Sequence, residues 1–189
     1  MLLNKANLAI AKYAPAKGDR YTVRGLNVSP KGTTVTNGHY LIRVSLPEQP
    51  EAATFKPWTM AAPDAMKIVK AIPRVKKNDD PPTVTLENPA EPSDVTAVTC
   101  SVADVAIGAA TLPGNFPNCE SVFPHEPPTL TIGLPAEYLA RLAASAMETC
   151  GKDACIKLEF TAHNKVVKMT ATNTSTEQTW TALLMPVRL

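Results

Sequence analysis

An α+β fold is predicted, built from three helix-plus-strands modules whose helices lie on one face of a continuous antiparallel sheet. Three observations predict it. Apolar residues at helical spacing occur in three separate segments, each bounded by proline. Each segment is followed by short β-rich stretches that end at Gly, Asn or Pro. With 189 residues, 44% hydrophobic and 19% charged, the chain is long and apolar enough to bury a core.

The first helix is expected over about residues 2–14, with Leu2, Leu3, Ala6, Ile10 and Tyr13 as its apolar stripe and Pro15 and Gly18 as its stop. Strands are expected in YTVRGLNVS (21–29), KGTTVTN (31–37) and HYLIRVSLP (39–47). The second helix opens at Pro63-Asp64, with proline in its first turn, and closes at Pro73. Its apolar side is Ala65, Met66, Val69 and Ile72. The strands TVTLE (83–87), VTAVTCSV (95–102) and DVAIGAATL (104–112) follow, separated by solvated turns at 76–82 and 87–94. The third helix runs from Pro135 to about Met147, with Tyr138, Leu139, Leu142 and Ala146 on one face. CIKLEFT (155–161) then alternates cleanly, with Ile156, Leu158 and Phe160 on one side. KVVKMTAT (165–172) and QTWTALLM (178–185) complete the module. Between the second and third modules, FPHEPPT (123–129) reads as a stiff connector. A module of this kind does not bury its sheet alone, so the sheet is expected to run across modules and across chains.

Several function classes recede. A net charge of +2 is far from that of a strongly basic nucleic-acid binder, so any phosphate contact requires charge sorted onto one face. No apolar run reaches membrane-spanning length, and the N-terminus has helical spacing rather than a leader's apolar block, so a cytosolic, cytoplasmic protein is expected. Cys100, Cys119, Cys150 and Cys155 lack the spacing of a zinc site and read as reduced thiols. No phosphate-binding loop, zinc-protease or serine-hydrolase motif is present. His39 reads as a turn residue beside Asn37-Gly38, and Asp79-Asp80 as a solvated loop. No enzyme activity, cofactor or metal is expected.

The helices carry a stronger signal. Lys67, Lys70 and Arg74 fall at i, i+3 and i+7 opposite the apolar face of the second helix, and Lys76 and Lys77 extend the stripe. Lys5 and Lys12 are seven apart on the first helix, with Lys17 and Arg20 following. Such a stripe either meets phosphates or serves as an ordinary solvated face. The third helix is nearly neutral outside, with Glu137 paired to Arg141 and Glu148 beyond.

Four stretches in order resemble the bacterial sliding clamp, the beta subunit of DNA polymerase III. DRYTVRGLNVSPKGTTVTNGHYLIRVSLP is similar to the opening of the clamp's middle domain, where the motif T-D-G-H-R-L precedes a strand; here it is Thr36-Asn37-Gly38-His39-Tyr40-Leu41. GNFPNCESVFP (114–124) is similar to the motif G-x-F-P-x-x-x-x-V-x-P that closes that domain. KLEFTAHNKVVKMTATNTSTEQ resembles the start of the third domain, and LLMPVRL resembles the family's terminal V-M-P-M-R-L. The resemblance implies a DNA-clamp fold, with residues 1–124 as a clamp domain like the middle one and 130–189 as a half-domain like the third, carrying its C-terminal tail.

It also implies a hydrophobic groove for short peptides of polymerases, a clamp loader and repair proteins. Carried over by motif, that groove comprises Thr36, Gly38, His39, Tyr40, Leu41, Pro117, Val122, Leu184, Met185, Pro186, Val187 and Arg188, with Leu189 beside it. The residue types suit an adaptable apolar trough with a few polar anchors. Duplex DNA, bound without sequence preference, is the other implied partner, facing Lys5, Lys12, Lys67, Lys70 and Arg74. The departures are Tyr40 in place of arginine, Asn37 in place of aspartate, and three modules where a family chain has six. A ring of twelve modules would take four copies, so a homo-tetramer is expected. The alternative is a module without a ring that recruits or sequesters clamp-binding proteins.

Overall fold

The computed structural model describes residues 1–16, 21–47, 49–50, 54–74, 82–87, 97–102 and 105–188. Gly18, Lys17, Arg20, Lys76, Lys77, Asp79, Asp80 and Leu189 lie outside these, as do the expected turns at 76–82 and 87–94 apart from Pro82 and Glu87. The chain divides into two compact units, Met1–Phe123 and Pro124–Leu189. All the strand pairings are antiparallel, in two four-stranded sheets and one three-stranded sheet.

The first unit opens with a strand where a helix is expected. Leu2 and Leu3 form β1 (Leu2–Leu3) and pair with Thr85 and Val84 of β6 (Val84–Leu86). The helix starts only after Asn4, whose side chain accepts from the Ala6 and Asn7 amides while Asn7 returns a bond to the Asn4 amide. That reciprocal cap fixes α1 at Lys5–Ala9, and a 3-10 turn, Ile10–Tyr13, carries it on. The apolar stripe is accordingly Leu8, Ile10 and Ala11, with Leu2 and Tyr13 half-exposed. A second 3-10 turn, Tyr21–Arg24, replaces the first part of the expected strand.

Three strands then form a meander: β2 (Gly25–Ser29), β3 (Gly32–Thr36) and β4 (Leu41–Ser45). Gly32 makes the β2–β3 reversal with φ +134°, and a Cβ there would strike the Val44 carbonyl. Asn7, fully buried, fastens α1 to this sheet by donating to the Val44 and Ser45 carbonyls, and its own carbonyl accepts from Thr33 Oγ1 at 2.7 Å.

The second module begins with a strand that the alternation pattern does not mark, β5 (Trp58–Ala61), paired with β2. Then come α2 (Ala62–Ala71), β6, β7 (Ala97–Val102) and β8 (Val105–Ala110). Sheet order is β4-β3-β2-β5 and β1-β6-β7-β8, so each module lends its leading strand to the other's sheet. A bridge from Met60 to Thr111 links the two sheets, and α1 packs on α2. The shared core includes Leu3, Leu8, Leu26, Val28, Met60, Ile68 and Val84, each essentially excluded from water. Burying one such side chain is worth about 1.5–3 kcal/mol.

The second unit holds one module. Pro135 caps α3 (Ala136–Cys150), which ends at Gly151 with φ +93°. Three strands follow: β9 (Lys157–Glu159), β10 (Val167–Thr172) and β11 (Thr179–Leu184), in the order β11-β10-β9. Its buried cluster is Val167, Met169 and Leu184, with Ile132, Leu134, Leu139, Leu142 and Trp180 packed around it.

Candidate functional site

The expected groove residues fall on both units. Thr36 to Leu41 form the turn from β3 to β4, and side chains of the motif hold it. Asn37 Oδ1 accepts from the His39 and Tyr40 amides at 2.9 and 3.0 Å. Thr36 Oγ1 donates to the Tyr40 carbonyl at 2.7 Å and accepts from the Gly38 amide. Gly38 sits at φ +89°, a conformation that favours glycine. Asn37 can replace aspartate here because the turn uses only the side-chain oxygen as acceptor. His39 is exposed. Tyr40 is exposed too, and its phenol donates to the Tyr13 carbonyl at 2.5 Å.

Pro117 and Val122 lie on the segment that closes the first unit. Val122, on the 3-10 turn Glu120–Val122, is 68% exposed. Residues outside the expected set fasten this segment to the sheet. Arg43, two positions past Leu41 on β4, donates to Glu120 Oε1 at 2.7 Å and places its guanidinium 4.6 Å from the centre of the Phe123 ring. Lys31 approaches the other Glu120 oxygen at 3.0 Å. These two cations, Lys31 first, hold the Glu120 carboxyl below its usual range. Burial pushes the neighbouring Cys119 thiol up. A cavity of about 660 Å³ opens beside them, bordered by Trp58, Thr34, Arg43, Phe116, Pro117 and Cys119. Of the expected groove residues, Pro117 is the one that borders it. Arg43 and Glu120 carry no local motif; an outward-facing arginine in the strand LIRVS and an acid inside GNFPNCESVFP are the faint signals.

The remaining groove residues belong to the second unit. Leu184, on β11 opposite Val167, is buried. Met185 is 64% exposed and Val187 49%, and Arg188 is exposed as well. Pro186 is half-buried, and the Val187 amide donates to the Gly133 carbonyl at 2.9 Å. The apolar tail is thus only partly a core strand: three of its large side chains, Leu183, Met185 and Val187, face water.

Lys5, Lys12, Lys67, Lys70 and Arg74 are all exposed on the first unit. Lys12 stacks over the Tyr13 ring at 4.7 Å. Lys67 pairs with Asp64 at 2.6 Å. Burial works to raise the Asp64 carboxyl pKa, but the Lys67 bond and the Ala110 amide, 2.9 Å away, leave it below the usual range. On α3, Arg141 pairs with Glu137 at 2.5 Å. Cys119, Cys150 and Cys155 are free thiols, and among the described residues no three His, Cys, Asp or Glu side chains gather as metal ligands. Among the described residues no helix is long and apolar enough to cross a membrane.

No protein-family model and no curated protein matches the sequence. Solved structures do match. The Caulobacter crescentus beta sliding clamp aligns over 98% of this chain and 50% of its own, at TM-score 0.73 and 15% identity. The beta subunit of the Streptococcus pyogenes DNA polymerase aligns over 100% and 50%, at TM-score 0.68 and 13% identity. The Bacillus subtilis DNA polymerase sliding clamp gives 100% and 49%, at TM-score 0.67 and 14% identity. The chain spans about half the length of these proteins. Over nearly its whole length it has the fold of a shortened bacterial DNA polymerase III beta sliding clamp.

Proposed function

We propose that the chain is a DNA polymerase processivity factor, a sliding clamp that encircles duplex DNA as a homo-oligomeric ring and binds partner peptides. What supports this reading above all is the clamp fold across 98% of the chain. On this reading residues 1–124 take the part of the clamp's middle domain and 130–189 that of half its third. The exposed cations Lys5, Lys12, Lys67, Lys70 and Arg74 face the duplex. Encirclement retains the protein topologically, so a net charge of +2 suffices where tight binding would need more. Peptides of a polymerase, a clamp loader or other client proteins dock on the TNGHYL turn, Pro117, Val122 and the tail from Leu184 to Arg188. Four chains supply the twelve modules of a full ring. The protein works in the cytoplasm and is not an enzyme.

The test is retention on bead-bound circular DNA followed by linearisation. Release on cutting supports the ring; equal retention on both forms, or none on either, overturns it. Titration of a fluorescent clamp-binding peptide tests the groove with full-length chain and with a chain lacking residues 185–189. Equal binding by the two overturns the groove.

The near-neutral outer face of α3, where Arg141 is taken up by Glu137, favours a second reading: a peptide-binding module that recruits or sequesters clamp-binding proteins without a ring. It predicts peptide binding with no retention on circular DNA.

A further inference from the structure

The two modules of the first unit complete each other by exchanging strands. The leading strand β1 is held to its own module by the Gln49 side chain, which accepts from the Leu2 amide and donates to the Leu2 carbonyl. Its other partner is β6, the first strand after α2. The leading strand β5 is held to its own module's tail by the Leu112 amide, which donates to the Thr59 carbonyl at 2.8 Å. Its other partner is β2, the first strand after α1 and its 3-10 extension. The exchange seals the core: Leu26, Val28 and Val84 are 0% exposed.

The second unit repeats one side of this arrangement. The Val187 amide donates to the Gly133 carbonyl, so its leading segment, 131–134, is held to its own tail as β5 is. The other edge of that segment, and the outer edge of β9, carry no strand among the described residues. The core shows the consequence. Leu158 of β9 lies opposite Met169 of β10 and so projects from the same sheet face. Met169 is 1% exposed and Leu158 is 41%. Leu139 and Leu142 of α3, beside the same cluster, are only half-buried, and α3 is the unit's one helix among the described residues.

We infer that the second unit pairs with the second unit of another copy of this chain about a two-fold axis. Each copy's 131–134 segment adds to the outer edge of the other's β9, and Leu158 is buried in the joint core. The occupant is a second copy because the unit carries both parts of the joint, a free strand and a free edge, in the arrangement that the first unit closes internally. Two chains joined in this way hold six modules in three complete pairs, and two such dimers hold the twelve of a ring. The inference goes beyond the clamp reading and does not depend on it: it concerns the mass of the free protein, not DNA or peptide.

Light scattering of the full-length chain over a dilution series, with amide hydrogen exchange of β9 at each concentration, tests it. Dimers or even multiples are expected, with β9 amides slow at high concentration and fast on dilution. Leu158→Lys should weaken association at least about tenfold while the thermal transition persists. Leu183→Lys, on the opposite edge of the sheet, should leave association unchanged. A monomer at every concentration, a trimer, or β9 exchange that ignores concentration overturns the inference. If Leu158→Lys does not fold, the concentration dependence of β9 exchange in the unaltered chain decides alone.

Discussion

Arg43 Nη2 lies 2.7 Å from Glu120 Oε1 and joins β4 to the end of the first unit across 77 positions of sequence. With Lys31, it holds the Glu120 carboxyl below its usual range. A folded-state pKa below the unfolded value, about 4.3 for Glu, adds stability above that value and loses it as pH falls through the folded one. Glu120→Gln should therefore lower the melting temperature at about pH 7 and lower it less at about pH 3. Thermal melts at the two pH values check this; an equal loss at both would assign the effect to packing.

Gly25 lies opposite Ala61 of the exchanged strand β5. A Cβ there would strike the Met60 carbonyl oxygen and sit 2.6 Å from Thr59 Cγ2. The Met60 oxygen is backbone and has no side-chain freedom to swing away, so Gly25→Ala should cost about 2 kcal/mol or more. The midpoint of urea unfolding reads the loss, with Gly38→Ala, open on all sides, costing less.

Asn7→Ala removes a fully buried amide that donates to two β4 carbonyls and completes the cap of α1. Leaving those groups without partners should cost about 1–3 kcal/mol. Urea unfolding measures it, and circular dichroism should show the native fold in the absence of denaturant.

Lys70→Glu with Arg74→Glu should leave the melting temperature almost unaltered, since both side chains are exposed. If these cations face phosphates, DNA association should weaken, and the slope of its salt dependence should fall by about one for each phosphate no longer neutralised. Binding measured across a salt series checks both, and an unchanged slope would remove these residues from the DNA face.

The helices and the meander strands were legible because their signals are local. Pro63 and Pro135 mark helix starts, Asn37-Gly38 marks a reversal, and Val167, Met169 and Ala171 alternate with exposed neighbours. The exchanged strands were not. Leu2-Leu3 is too short to show a period, and Trp58 to Met60 is buried on both faces and so does not alternate. Each becomes a strand because of a partner far along the chain. The same physics governs the candidate site. The TNGHYL turn is held by its own side chains and could be read directly; the Arg43–Glu120 tie is long-range and could not.

The exchange of β1 and β5 also bears on how the chain comes into being. Leu2 meets its strand partner only at Thr85, and the N-terminal ammonium reaches the Leu86 carbonyl 85 positions away. During synthesis the first module therefore emerges with its opening strand unmatched and waits for most of the second to leave the ribosome. The unit Met1–Phe123 should reach its native state in one late step, and nascent chains stalled before residue 84 should remain open to proteases.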